Sequence, residues 1–145
     1  MVAVKGTFAR STGIEVQSFG VTASTSITQG KIVEVDANGH VKTGTTSGTV
    51  EKGLGVALET VDNSSGSAGA KQCRVAVGNS FIYTEAGGAI KVGHAVKCDS
   101  AGDAIANTGV FASETLVGRY ISHADESQLP TNAVDGDTII VRLGL

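Results

Sequence analysis

Two stretches of this chain carry the same residues at the same spacing, and that repeat constrains the fold more than any other feature. Ile27, Gly30, Val33, Asp36 and Gly39 find identical residues at Ile90, Gly93, Val96, Asp99 and Gly102, each 63 positions further on. The same offset carries Glu51 and Gly55 onto Glu114 and Gly118 without a gap. Such self-similarity implies two related supersecondary units, each a hairpin followed by a return strand, packed as pseudo-symmetric halves of one barrel.

The turn at the centre of each unit has two readings. In "GKIVEVDANGHVKTG" (30–44) the alternation of Asp36 and Asn38 before Gly39 looks like the start of a cation-binding loop. Such a loop continues with further acidic or amide groups and closes on a bidentate acid near its twelfth position. Here His40, Val41, Lys42 and Thr43 follow, Glu51 is misplaced, and the second unit reads DSAG, with Ala101 where Asn38 stands. The units share Asp with Gly three residues later, which is the chemistry of a type I turn whose Gly lies in the left-handed region as a bulge. A three-residue loop of that kind sets Val35 opposite Val41 and Val33 opposite Thr43. In the second unit it sets Cys98 opposite Ala104 and Val96 opposite Ala106. A two-residue loop would pair Val35 with Lys42, and a slip of one residue turns side chains to the other face. The apolar match therefore favours a hairpin over a metal loop.

Twenty glycines, one proline and no tryptophan in 145 residues, with abundant Val, Ile and Thr, favour short strands joined by tight turns. Strand-like stretches fall at 13–19, 31–35, 40–43, 54–61, 72–77, 80–85, 94–98, 115–122 and 137–143, separated by clusters such as NSSGSAG and EAGG. This pattern predicts an all-β fold, a small β-barrel or β-tulip-like domain, with residues 1–145 forming a single domain. Residues 27–145 make its barrel-like body. Residues 1–26, where VTASTSITQG is small, polar and poor core material, form either an N-terminal extended arm on a neighbouring molecule or an ordinary edge strand. One helical turn over 122–129, capped by Ser122 and stopped by Pro130, is the best helical signal.

Charge and motifs exclude several function classes. The net charge is -3 and the pI about 5.5, with no run of either sign, so no nucleic-acid footprint is present. The N-terminus lacks an apolar signal region and no segment approaches 18 apolar residues, so a soluble chain made in the cytoplasm, without a membrane partner, is expected. Cys73 and Cys98 fit no C-x-x-C motif and read as small apolar residues. His40, His94 and His123 share no metal-ligand spacing. Ser122, His123 and Asp125 are adjacent in sequence, which is not triad geometry. Asp135 and Asp137 flank Gly136 in a turn, with acid/base carboxylates as the rival reading. Gly53 and Gly55 lack the third glycine and the helix of a dinucleotide loop and instead let a strand bend or another backbone approach. Asn63 begins a sequon that has no secretory route, in a loop (63–70) without aromatic or charged anchors. The expected inventory is no catalytic, cofactor-binding or metal residue.

The order "GKIVEV", "GLGVALETV", "CRVAVGNSFIYTEAGGAIKVGHAVKCDSAGDA", "LVGRYISHA" and "GDTIIVRL" resembles the tailed-phage capsid decoration proteins, also called structural cement proteins. The resemblance covers residues 27–145 and is clearest in "AIKVGHAVKCD", a strand after an I-x-x-G turn, followed later by "VGRYI". It implies a β-barrel or β-tulip domain that forms homotrimers on the outer surface of an expanded icosahedral head. There such proteins bind the major capsid protein at three-fold and quasi-three-fold positions and stabilise the lattice against internal DNA pressure. The family carries no catalytic or cofactor residues to transfer. A tail, baseplate or receptor-binding β-module of a virion is the alternative, and a hydrolase using His123, Asp135 or Asp137 is a third reading.

Overall fold

The computed structural model describes residues 3–44, 53–107, 116–124 and 132–144, and its regular elements there are all strands. In chain order they are β1 (Val16–Gly20), β2 (Thr25–Ile27), β3 (Ile32–Val35), β4 (Val41–Thr43), β5 (Gly53–Ala57), β6 (Val61–Asn63) and β7 (Gln72–Ala76). There follow β8 (Phe81–Glu85), β9 (Ala95–Cys98), β10 (Ala104–Ala106), β11 (Leu116–His123) and β12 (Thr138–Leu143). The all-β expectation holds. The helical turn expected over 122–129 falls on residues of which 125–129 lie outside the described ones, and Ser122 and His123 end β11.

Both hairpins form in the register that the apolar pattern required. Val35 faces Val41 and Val33 faces Thr43, while Cys98 faces Ala104 and Val96 faces Ala106. In each turn the Asp carboxylate supplies the acceptor. Asp36 Oδ1 accepts the N–H groups of Asn38 (2.8 Å) and His40 (2.9 Å), and Asp99 Oδ1 accepts those of Ala101 (2.8 Å) and Asp103 (2.9 Å). Gly39 and Gly102 sit at φ 82° and 81°, which a side chain would strain. Asn38 contributes only its N–H, which is why Ala101 can take its place.

The likeness extends well beyond the hairpins. Sheet one runs β1-β7-β5-β3-β4 and sheet two runs β8-β12-β11-β9-β10, the same spatial and sequential order twice. Val33 pairs with Gly55 and Val96 with Gly118, and each ladder slips by one residue at the matching place. Each glycine allows a close approach: a Cβ on Gly55 would collide with the carbonyl oxygen of Ala76, and one on Gly118 with that of Arg142. Parallel bridges, Val21 to Val41 and Ala86 to Ala104, then join the two outer strands of each sheet. Each unit thus curls its own sheet toward closure, where the repeat alone suggested halves of one barrel. β2 pairs with β6 through Ile27 and Val61, and the second half keeps a remnant of that ladder as the Ile90–Ala133 bridge.

Adjacent residues of a strand face opposite sides, so the paired apolar residues of sheet one serve two cores. Val33, Ala57 and Val75 join Val21, Ile27, Val41, Val61 and Cys73 in the core of the first half. Ile32, Val56 and Ala76 face the other way, into the core of the second half, against Ile82, Val96, Tyr120, Ile139 and Leu143. The stretch VTASTSITQG therefore contributes core after all, since Val21 and Ile27 are fully buried. The strand expected over 54–61 is two strands, because Leu58 hands its N–H to Arg74 O (2.9 Å) and the chain then leaves β5 to meet β2.

Contacts across the halves are specific. Ile32 N–H donates to Gly102 O at 2.8 Å, Thr84 Oγ1 to Gly30 O at 2.8 Å, and Lys31 Nζ lies 2.7 Å from Asp103 Oδ1. The N-terminal segment also binds both. Gly6 and Ala9 donate to Tyr83 O and Phe81 O (2.8 and 2.9 Å), Thr7 O accepts from Tyr83 N–H (3.0 Å), and the chain continues into β1 on the edge of sheet one.

Candidate functional site

The carboxylates of Asp36 and Asp137 are taken up by turn hydrogen bonds. Asp36 Oδ2 also accepts Thr22 Oγ1 at 3.2 Å. Burial tends to raise this carboxyl, but hydrogen bonds from the His40 and Asn38 N–H groups and from Thr22 outweigh it and lower its pKa. His40 lays its ring against Gly20 and Gly69. Asp137 Oδ2 accepts Val134 N–H at 2.9 Å, and its own N–H returns to Val134 O at 3.1 Å. With Gly136 at φ 91° and Asp135 exposed, this acidic pair is the turn that feeds β12. His94 is exposed near the surface of the second half, and His123 lies at the end of β11. Among the described residues no group of three or more His, Cys, Asp or Glu could hold a metal ion.

Cys73 and Cys98 are buried, in different cores and not joined in a disulfide. Burial, reinforced by Glu59, pushes the Cys73 thiol up to about 11. Burial, with Glu34 and Asp99 nearby, pushes Cys98 up to about 12. Both are therefore poor thiolates at neutral pH and behave as the small apolar residues expected of them.

One polar residue that matters was hidden in the sequence. Asn63, there only the head of a sequon, is buried, and its Nδ2 donates toward Val21 O (3.3 Å), Thr22 O (3.2 Å) and Ser67 O (3.1 Å). It ties the end of β6 to the segment after β1 and folds the 63–70 loop back on itself. No local motif marks that role, because two of its acceptors lie 42 and 41 residues earlier in the chain.

The surface offers two places for a partner. In the second half a cavity of about 350 Å³ is lined by Ile90, Lys91, His94, Ala106, Asn132 and Ala133. Beside it Val92 and Val134 are 41% and 60% exposed, and Val92 N–H donates to Asn132 Oδ1 at 3.3 Å. At the edge of sheet one, Ile14 and Val16 are 45% and 47% exposed. Apolar side chains grouped around a concave surface are suited to contact with another macromolecule.

No family model matches this chain, and no curated protein does. Among solved structures it is similar to the crystal structure of the head fiber gp8.5 N base in bacteriophage phi29. The two superpose with a TM-score of 0.57 and 16% sequence identity, over 90% of this chain and 95% of that one. At that identity the likeness is one of fold.

Proposed function

We propose that this chain is a non-enzymatic structural protein of a tailed-phage virion that decorates the outside of the head. The observation that carries the reading is the fold shared almost end to end with the base of a phage head fiber, a protein of the phage head by its name. The likeness covers 90% of this chain and 95% of that one, so it extends over both halves of the repeat. The site supports the same reading from the other direction. The carboxylates of Asp36 and Asp137 are held in turns, the thiols are buried, and a cavity with apolar neighbours is accessible.

In this proposal the protein binds the major capsid protein of the expanded lattice as a homotrimer, and its main effect is to stabilise the head. Three linked weak contacts raise avidity by about 10² to 10⁴ over one, so modest patches are enough. Attachment then depends on lattice spacing, and loose capsid subunits bind poorly. The test is co-sedimentation of the purified protein with expanded undecorated heads, with unexpanded heads and with tails. Pelleting with expanded heads alone is the expected result. Pelleting with tails would transfer the protein to the tail or baseplate class, and binding to none of the three would remove the virion reading.

A further inference from the structure

The two hairpin tips, alike in sequence and hydrogen bonding, meet different surroundings. Gly102 is buried: a Cβ there would stand 2.7 Å from Thr43 Cγ2, 3.2 Å from Ile32 O and 3.3 Å from Lys31 Cβ, all in the first half. Its carbonyl takes the Ile32 N–H, and its neighbour Asp103 holds Lys31. The second half's tip is thus a plug seated in a socket of the first. Gly39, the matching plug, is exposed, and a Cβ there would meet nothing within 4 Å.

The repeat also locates a second socket. Lys31, Ile32 and Thr43 correspond to His94, Ala95 and Ala106 at the same offset of 63 positions. His94 and Ala106 both line the cavity of about 350 Å³. Asn107 N–H donates to Ala95 O (2.9 Å) just as Gly44 N–H donates to Ile32 O (2.9 Å), so the local backbone is the same. The Ile32 N–H finds Gly102 O from the other half, whereas the Ala95 N–H meets no such acceptor among the described residues. One chain therefore carries a filled plug and socket inside itself and, among its described residues, an unfilled plug and an unfilled socket on its outside.

We propose that the Asp36–Gly39 hairpin of one copy seats in the Ile90, His94 and Ala106 cavity of a second copy, repeating between molecules the contact made inside each. The occupant of the cavity is the same turn motif that fills the equivalent socket, with Gly39 O accepting the Ala95 N–H. Such a contact is head-to-tail and closes into a ring when the rotation permits. It deepens, and rests on, the homotrimer of the proposed function. Where Lys31 and Asp103 form an ion pair inside the chain, His94 and His40 stand at the corresponding places between copies, so the contact between molecules is the weaker of the two.

The test uses the full chain with Gly39→Cys and His94→Cys introduced together. Their counterparts put Cβ positions 3.3 Å apart, close to the span of a disulfide. Oxidised glutathione should convert the double variant into covalent species that end at trimer on a non-reducing gel, while either single substitution stays monomeric there. Because a side chain at residue 39 is strained, Ala106→Trp serves as an independent variant that fills the socket. It should weaken self-association in sedimentation velocity by about tenfold or more while the chain still melts cooperatively. A wild-type chain that stays monomeric at high micromolar concentration overturns the proposal, as does an oligomer that neither cross-links nor responds to Ala106→Trp. Head binding is scored separately. A protein that pellets with expanded heads but fails both tests loses the plug and socket and keeps the capsid reading, and one that cross-links but binds no heads does the reverse.

Discussion

The first half (β1 to β7) and the second (β8 to β12) are built to one plan but finished differently. Strand order, hairpin register, the slip opposite Gly55 and Gly118, and the closing parallel bridge are all repeated. Features that serve closure of each sheet are kept, and features that face outward have diverged. The tip at Gly102 is buried against the other half while the tip at Gly39 is open. The first half keeps a three-pair β2–β6 ladder, where the second retains one bridge and gains a cavity beside it. A duplicated scaffold that holds its interior and varies its surface is suited to presenting two related faces to neighbours.

The largest effect should come from the glycines that the halves share. Gly55→Val and Gly118→Val each force a side chain into a facing carbonyl oxygen and should each cost about 3 kcal/mol or more, read from urea midpoints. If only one is tolerated, the two return strands are not equivalent. Next comes a residue of the first half only. Asn63→Ala removes three hydrogen bonds, to Val21 O, Thr22 O and Ser67 O, from a buried side chain and should cost about 2 kcal/mol, measured in the same way.

The tips themselves should separate by less. Gly39→Ala should cost about 1 kcal/mol, from left-handed strain alone, whereas Gly102→Ala adds a clash with Thr43 and should cost about 2 kcal/mol. Equal losses would contradict the buried plug. The ion pair between the halves ranks lower: Lys31→Met should cost about 1 kcal/mol or less, because both side chains keep some exposure, and the loss should shrink in high salt. The smallest effect concerns Asp62, on the ladder that only the first half keeps in full. Hydrogen bonds from the Ser64 side chain and N–H, and from Ser26, hold its carboxyl at about 2. Its folded value lies below the ordinary 3.8, so its contribution is complete above that pH and fades as pH falls through about 2. A carboxyl-carbon NMR titration should place its midpoint there, and Asp62→Asn should abolish that part of the acid dependence.

What could be read from the sequence was local. Asp36 with Gly39 and Asp99 with Gly102 announce turns by chemistry confined to four residues, and a register that must match apolar faces follows from the turn. The Asp36 and Asp99 carboxylates accept backbone N–H groups, as that turn chemistry requires. The full extent of the repeat was not legible. In the structure Ala76 answers to Arg142 and Val16 to Phe81, so the constant offset breaks down beyond the return strand. Outer strands VQSFG and FIYTE match at no aligned position, and residues 6–9 run along FIYTE. Val21 and Ile27 are not legible as core because each is a single apolar residue in a polar stretch, buried by partners far along the chain.

Cryo-electron microscopy of expanded heads incubated with the protein tests the central claim most directly. The account predicts added density on the outer surface at three-fold positions, with each copy resolved as two related β units. Heads that stay bare under saturating protein, or density confined to a tail or portal vertex, would contradict it.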